Sequence, residues 1–400
     1  MKRLGMVALT TMAMAGVCAM GWAYAKGHGA MNTTQHVPWG LWVAFYIFFL
    51  GLSAGAFLLS SLVYVFGIKR FEAAGPVALV QALGCLILGG LLIVLDLGHP
   101  ERGYKVLTSM NPTSIMGWMG VSYLVYVALV LAELYLALRP GFVRSAGGSW
   151  IALAATLGYR RVDEGALARD RAWLRVLGIM GIPVAIVVHG GVGSIFAVAK
   201  ARPGWFSGLF PIVFIVSALA SGGALVTFLL AAYSRLPQER KTALVRDLAL
   251  LSFGILCFDF LLLASEALVT LYGNVPHESA GWKLILWGPY WWVFWFIQLG
   301  AGLIVPLVIF ATPRLSRSLP WLGAAGLLMV TGVLGARLNL VIPAQFQPAF
   351  PQLPEAYHHA RWAMGYSPSL TEWSVALGSI AIGLWLFVLA MRVLPLEEAV

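Results

Sequence analysis

The chain has 400 residues, of which 60% are hydrophobic and only 10% are charged, and its mean hydropathy is +0.86. This composition excludes an ordinary soluble domain and indicates a polytopic membrane protein. The formal net charge of +10 is mostly a topology signal, because Lys and Arg gather in connections between apolar runs, and it does not indicate nucleic-acid binding.

Apolar runs long enough to cross a hydrocarbon core of about 30 Å predict ten transmembrane helices. They lie at about 5–24, 39–66, 76–98, 113–138, 174–199, 208–234, 246–272, 285–312, 318–340 and 372–393. We therefore expect an all-α integral membrane protein. The first run follows Lys2 and Arg3 and imitates a secretory signal at Ala23-Tyr-Ala25, but we expect an uncleaved helix.

The distribution of Lys and Arg predicts the orientation of the helices. Of the 26 such residues, 18 fall on the side of the N terminus, 7 fall on the other side, and Arg337 lies within a span. Positive residues favour the cytoplasm. We therefore expect a multi-pass protein of the cell inner membrane with both termini in the cytoplasm.

Polar residues gather where the second to fifth spans meet the predicted outer face. They are Trp39 in the second span, Asp96, His99 and Arg102 after the third, Asn111, Ser114 and Trp118 before the fourth, and His189 in the fifth. Ionisable groups are expensive in hydrocarbon, so Asp96, His99 and His189 predict a functional site. The tryptophans could instead belong to an interfacial aromatic belt, and Arg102 could extend to lipid headgroups.

An internal repeat predicts the architecture. Residues 45–60 resemble residues 214–230, at an offset of about 168 residues that spans four helices. Because four is even, both copies have the same orientation. We expect two four-helix bundles with one helix packed outside each end: 1–38 an N-terminal anchor helix and outer loop, 39–200 the first bundle, 201–341 the second bundle, and 342–400 an outer loop and last helix.

Further ionisable residues lie within the spans of both halves. Asp259, Glu266 and Arg337 lie in the second half, and Glu133 lies in the fourth span. Glu266 and Arg337 could neutralise each other as a structural pair, or all four residues could move protons.

The sequence does not predict a bound redox group or metal. Cys18, Cys85 and Cys257 are dispersed, without the spacing of an iron–sulfur or zinc site. Of the histidines only His189 lies well inside a span, whereas a membrane cytochrome b needs paired axial histidines. A lipid-soluble quinone fits better, because it needs hydrogen bonds to two carbonyl oxygens and exchanges two protons, which His189 and Asp96 could relay.

At these residues the chain resembles the NrfD/polysulfide reductase membrane-subunit family, in its ten-helix branch with the hydrogenase subunit HybB. The motifs are Pro38-Trp-Gly-Leu-Trp42, Leu95-Asp-Leu-Gly-His-Pro100, Asn111-Pro-Thr-Ser-Ile-Met-Gly-Trp118 and His189-Gly-Gly-Val-Gly-Ser194. The run from Gly193 to Pro203 is most similar to DsrP-type subunits of DsrMKJOP complexes in dissimilatory sulfur metabolism.

The resemblance implies a quinone-reactive subunit that binds no haem or iron–sulfur cluster itself. Its substrate would be menaquinone or another quinone, and its partner a ferredoxin-like iron–sulfur subunit on the outer face, with a multihaem cytochrome c and further membrane or cytoplasmic subunits. Asp96, His99 and His189 would serve quinone binding and proton transfer, with Asn111 and Ser114 as polar neighbours and Arg102 at the mouth.

Two other functions stay open from the residues alone. A secondary transporter also has repeats and intramembrane charges, although its repeats are often inverted and its site often lies at the midplane. A passive anchor would account for the helices but not for His189.

Overall fold

The computed structural model describes residues 2–145, 156, 159, 162–202, 204–348, 352, 355, 359 and 362–396. Within this part of the chain all regular structure is helical, and ten helices are long and apolar enough to cross a membrane. The expected all-α integral membrane fold is confirmed. The helices are α1 (Lys2–Lys26), α2 (Leu41–Tyr64), α3 (Gly75–Asp96), α4 (Ile115–Ser145), α5 (Glu164–Ala197), α6 (Phe210–Tyr233), α7 (Gln238–Tyr272), the short α8 (Pro276–Trp287), α9 (293–311), α10 (Leu319–Val341) and α11 (Leu370–Val393).

Because the described residues contain ten candidate spans, an even number, the start of α1 and the end of α11 belong to one side, which we call the termini face. The connections that follow α1, α3, α5, α7 and α10 lie on the other side, which we call the opposite face. The sequence predicts that the opposite face is the outer one.

The centre of the molecule is the crossing of α2 and α6, the two helices that carry the predicted repeat. A Cβ on Gly55 would lie 1.8 Å from the carbonyl oxygen of Ala218, and one on Gly222 would lie 2.4 Å from the backbone nitrogen of Ala56. The two backbones therefore touch, as small residues allow between membrane helices. Helices α3 and α5 pack on α2, while α7, α10 and α5 pack on α6.

The first and last spanning helices pack on each other outside this centre. A Cβ on Gly16 of α1 would lie 2.5 Å from the Cα of Gly378 in α11. Helix α11 also contacts α3 and α2, which joins the pair to the first half of the chain.

The apolar run 285–312 is not the single helix that the sequence predicts. Helix α8 ends at Trp287. The next residue, Gly288, has an extended backbone (ψ −169°) and no room for a Cβ beside Leu284, and Pro289 follows. Proline cannot donate the next helical hydrogen bond, so the chain turns before it enters the membrane as α9. The first twelve residues of α9, Val293–Ile304, form a π-helix, a form that often occurs at functional sites.

Candidate functional site

His189 lies on α5, eight residues before the helix ends at the opposite face, which is about 12 Å along the helix axis. Its side chain is 1% exposed, and neither ring nitrogen has a hydrogen-bond partner in the described part of the chain. The ring fills a notch at Gly51 of α2, where an added Cβ would lie 3.2 Å from its Cε1 atom. It also packs on Phe214 of α6, with ring centroids 5.7 Å apart. This imidazole is fully buried, and the backbone of Phe214 acts on it electrostatically although neither ring nitrogen makes a hydrogen bond among the described residues.

Asp96 ends α3 beside a different group of residues. Its Oδ1 atom is buried without a hydrogen-bond partner among the described residues, and its backbone carbonyl oxygen lies 2.8 Å from Nε2 of His28. The charges that act on it come from His28 and Glu372. Glu372 is fully buried and accepts hydrogen bonds from the backbone nitrogens of Asn32 (3.0 Å) and Ser369 (2.8 Å). The contacts of Asp96 are therefore with the ends of α1 and α11, not with His189.

His99 and Arg102 lie on the exposed connection after α3. The His99 side chain is 63% exposed, and its Nδ1 atom lies 2.9 Å from Oε1 of Glu101. Arg102 approaches the same oxygen at 3.8 Å. Hydrogen bonds from the backbone of Glu101 and from the His99 ring hold the pKa of the Glu101 carboxyl below its usual value. These side chains are exposed on the connection at the opposite face, where a partner protein can reach them.

Asn111, Ser114 and Trp118 organise the start of α4. Asn111 Oδ1 accepts a hydrogen bond from the backbone nitrogen of Thr113 at 3.0 Å, and Ser114 Oγ accepts one from Gly117 at 3.2 Å, as a helix N-cap does. Trp118 is 52% exposed and donates from Nε1 to the carbonyl oxygen of Pro112 at 2.8 Å. All these hydrogen bonds are local.

Trp39 belongs to a cluster that fastens three connections together at the opposite face. Its ring stacks on Trp205 at 5.2 Å, and its backbone nitrogen and carbonyl oxygen both bond the buried Gln345 amide, at 3.2 and 2.7 Å. Arg202 donates to the carbonyl oxygens of His36 (2.7 Å) and Gln345 (3.0 Å). Burial, together with the positive charge of Arg202, lowers the pKa of the buried His36 imidazole.

A cavity of about 280 Å³ opens in the second half of the chain, between α6, α7, α8, α9 and α10. Its walls are largely apolar and aromatic, including Phe214, Trp282 and Phe294. Polar side chains line it from five helices and from the connection before α6: Ser207, Ser217, Asp259, Glu266, Thr270, Glu278, Gln298, Arg337 and Asn339.

Arg337 is the buried cation of this cavity. Its guanidinium group donates to Ser217 Oγ and lies over the ring of Phe214, with Cζ 4.3 Å from the centroid. Its electrostatic partner is Asp259, whose Oδ1 atom has no hydrogen-bond partner among the described residues. The pairing of Glu266 with Arg337 that the sequence left open is not observed. Glu266 instead interacts with Ser207 at the opposite face.

Two amides complete the polar lining. Asn339 Nδ2 donates to Gln298 Oε1 at 2.8 Å, which links α10 to the π-helix. The helices approach closely enough for this bond because Gly302 and Gly332 face each other; a Cβ on Gly302 would lie 2.5 Å from the Cα of Gly332.

Glu133 lies deep in α4, apart from both His189 and the cavity of the second half. It is fully buried, and neither carboxylate oxygen has a hydrogen-bond partner in the described part of the chain. It faces Gly181 of α5, where an added Cβ would lie 3.3 Å from Oε1, and its charge acts on Tyr64 and Tyr126.

The structure thus brings Asp259, Glu266 and Arg337 to one cavity, while Asp96, His99 and His189 have separate surroundings. Sequence reasoning missed Ser217, Gln298, Asn339 and Glu372. Gln298 and Asn339 could have been noticed, because a side-chain amide within an apolar span also needs partners. Among the described residues, no three His, Cys, Asp or Glu side chains are grouped to hold a metal ion.

Comparison with known proteins gives one family and several full-length relatives. The family described as polysulphide reductase, NrfD, matches residues 29–349. The C subunit of selenate reductase from Mesobacillus selenatarsenatis is 39% identical, covering 99% of this chain and 94% of that protein. The Hdr-like menaquinol oxidoreductase integral membrane subunit of Archaeoglobus fulgidus is 29% identical, covering 97% of this chain and 93% of that protein. The protein NrfD of Escherichia coli is 26% identical, covering 79% of this chain and 97% of that protein.

Proposed function

The chain belongs to the polysulphide reductase NrfD family, and on that premise we propose that it is the quinone-reactive membrane subunit of a respiratory oxidoreductase complex. The archaeal relative is named for menaquinol. The ten spans are consistent with a substrate that stays in the bilayer.

One observation carries the proposal, and it is the state of His189. A fully buried imidazole whose ring nitrogens have no partner among the described residues is costly unless something else bonds it. An imidazole nitrogen can donate a hydrogen bond to a quinone carbonyl oxygen or accept one from a quinol hydroxyl group. A quinone carbonyl or hydroxyl oxygen would satisfy the ring, if the neighbouring side chains move to admit it.

In the proposed reaction this chain handles the protons and a partner subunit handles the electrons. Oxidation of a quinol releases two electrons and two protons, and reduction of a quinone consumes them. His189 exchanges protons with the quinone, and Asp96, with its unpaired oxygen, is the second candidate. The electrons pass to or from a ferredoxin-like iron–sulfur subunit.

The partner is proposed to dock on the opposite face, which would be the outer side of the inner membrane. His99 and Arg102 are exposed there and available for docking. A multihaem cytochrome c and further membrane or cytoplasmic subunits would complete the complex. We propose menaquinone as the substrate and dissimilatory sulfur metabolism as the setting, which the DsrP-like run 193–203 supports.

Buried carboxyl groups offer routes for the protons. Glu133 lies between His189 and the termini face along the bundle, and both of its carboxylate oxygens are unpaired among the described residues. Asp259, Glu266 and Arg337 would serve the second half in the same way. The chain division at residues 38, 200 and 341 stays a prediction that accompanies these roles.

The test replaces His189 with Ala in the assembled complex. Loss of a positioned acid–base group lowers turnover by about 100-fold or more, so we expect naphthoquinol-linked electron transfer to fall by that order while the complex still assembles. Turnover would be followed by absorbance with purified complex and a dye acceptor.

Val187→Ala is the matched control, because Val187 lies on the same helix with its side chain 54% exposed. It should leave turnover unchanged. An assembled His189→Ala complex with wild-type turnover would contradict the proposed function of His189.

A further inference from the structure

The cavity of the second half has more unpaired polar atoms than a structural role explains. Arg337 Nε, Asn339 Oδ1, Asp259 Oδ1 and Glu266 Oε2 are all buried without hydrogen-bond partners among the described residues. All four side chains line the same space. Buried polar atoms are normally bonded, so the cavity must hold either water or a ligand.

The predicted repeat relates this cavity to the surroundings of His189. His189 lies on α5, the fourth helix of the first half, and faces Gly51 on α2, the first helix of that half. Arg337 lies on α10, the fourth spanning helix of the second half, and bonds Ser217 on α6, the first spanning helix of that half. Both side chains lie toward the opposite face, and both contact Phe214.

We propose that this cavity is a second quinone-headgroup site, in addition to the one at His189. The proposal rests on the quinone-reactive function proposed above. The unpaired Nε of Arg337 is placed to donate a hydrogen bond to a quinone carbonyl oxygen. Asp259 and Glu266 are placed to exchange protons with the hydroxyl groups of a quinol.

The lining favours a neutral, partly apolar ligand. The guanidinium group of Arg337 shares the cavity with three carboxyl groups, those of Asp259, Glu266 and Glu278, so the cavity does not attract anions as an isolated arginine would. The remaining walls are aromatic and aliphatic, which is the usual lining of a small-molecule site with a few polar groups that fix orientation.

Size and access agree with a headgroup whose isoprenoid tail stays in lipid. The volume of about 280 Å³ is near the lower end of small-molecule pockets, about 300–1,000 Å³. Val269 of α7 lines the cavity and is also 70% exposed on the surface of its spanning helix. Further toward the termini face than the lining residues of α7, the rings of Phe253 in α7 and Phe310 in α9 meet at 4.8 Å. The tail would therefore leave sideways, past α7.

The experiment uses the intact complex in lipid nanodiscs with a photoactivatable azido-naphthoquinone. Labelled peptides are mapped by mass spectrometry in wild type and in Ala336→Phe, which places a ring in the cavity. We expect peptides of α7, α9 and α10 to be labelled in wild type, and this labelling to be lost in Ala336→Phe while labelling of α2 and α5 persists.

Leu327→Phe is the matched control, since Leu327 is exposed on the same helix and should not affect labelling. Asn339→Leu, which removes one unpaired oxygen, should also lose the label and replaces Ala336→Phe if that variant fails to assemble. Labelling of α2 and α5 alone would overturn the second site and leave the proposed function intact, with the cavity a water-filled proton passage. If excess unlabelled naphthoquinone prevented no labelling anywhere in the protein, both the second site and the proposed function would be overturned.

Discussion

At the residue scale, the position of the His189 ring depends on a single glycine. The ring occupies the space where Gly51 lacks a side chain, and an alanine Cβ there would lie 3.2 Å from Cε1 and 3.4 Å from Nε2. The ring must then shift by a few tenths of an ångström. A misplacement of about 1 Å costs about 100-fold in rate, so we expect Gly51→Ala to lower quinone-linked turnover by about tenfold.

Turnover of the purified complex measures this effect, and Gly84→Ala is its control. A Cβ on Gly84 would meet nothing within 4 Å. Equal turnover in the two variants, with both complexes assembled, would show that the position of the His189 ring does not matter.

His36 makes the junction at the opposite face sensitive to pH. Because burial lowers the pKa of His36 in the folded protein, protonation of His36 favours the unfolded protein. The stability that neutral His36 contributes is fully present above pH 6.5, the pKa of histidine in the unfolded protein, and it is lost as the pH falls below that value. We expect the melting temperature of wild type to fall more between pH 7.5 and 5.5 than that of His36→Gln, measured by intrinsic fluorescence. Parallel curves would contradict this assignment.

The sequence predicted that His189 lies well inside a span, but it did not predict the local roles of Asn111 and Ser114. A histidine within a long apolar run must be buried wherever the helices pack. Whether an Asn or Ser beside a proline bonds a ligand or its own backbone depends on hydrogen-bond geometry over three residues, which the sequence does not fix.

At the scale of elements, the crossing of α2 and α6 holds the two halves together. A Cβ on Gly222 would lie 2.4 Å from a backbone nitrogen, which cannot move aside in the way that the end of a flexible side chain does. We expect Gly222→Ala to destabilise the protein by at least about 1–3 kcal/mol, the usual penalty for overpacking a core. Thermal unfolding in detergent measures the loss.

Gly254→Ala is the comparison for this crossing, because a Cβ there would meet nothing within 4 Å. Replacing a helical glycine in open space stabilises by up to about 1 kcal/mol, so this variant should melt at or above the wild-type temperature. If Gly222→Ala melted at the same temperature as Gly254→Ala, the close approach of α2 and α6 would be wrong.

The spanning helices could be predicted because hydrocarbon thickness sets their length, whatever they pack against. The long apolar run did not predict the break between α8 and α9, although the dipeptide Gly288-Pro289 is a turn signal in the sequence. Nor could the cavity be predicted, because it depends on where five helices diverge. Only the close contact of α9 with α10 brings Gln298 to Asn339.

On the scale of the whole molecule, the orientation in the membrane decides which pool of protons each site meets. The excess of Lys and Arg on the termini face predicts that this face is cytoplasmic. We expect a fluorescent reporter that folds only in the cytoplasm to be active when fused after Val400, and a periplasmic phosphatase to be inactive there. The reverse pattern would place the His189 end of α5 toward the cytoplasm and remove the proposed outer partner.

The most direct test of the whole account is the content of the complex extracted in mild detergent. Mass spectrometry would identify its quinone and its subunits in wild type and in His189→Ala. The account predicts quinone and an iron–sulfur subunit with the wild-type protein, and less quinone with the variant. An intact complex that contains no quinone, and that naphthoquinol does not reduce, would contradict it.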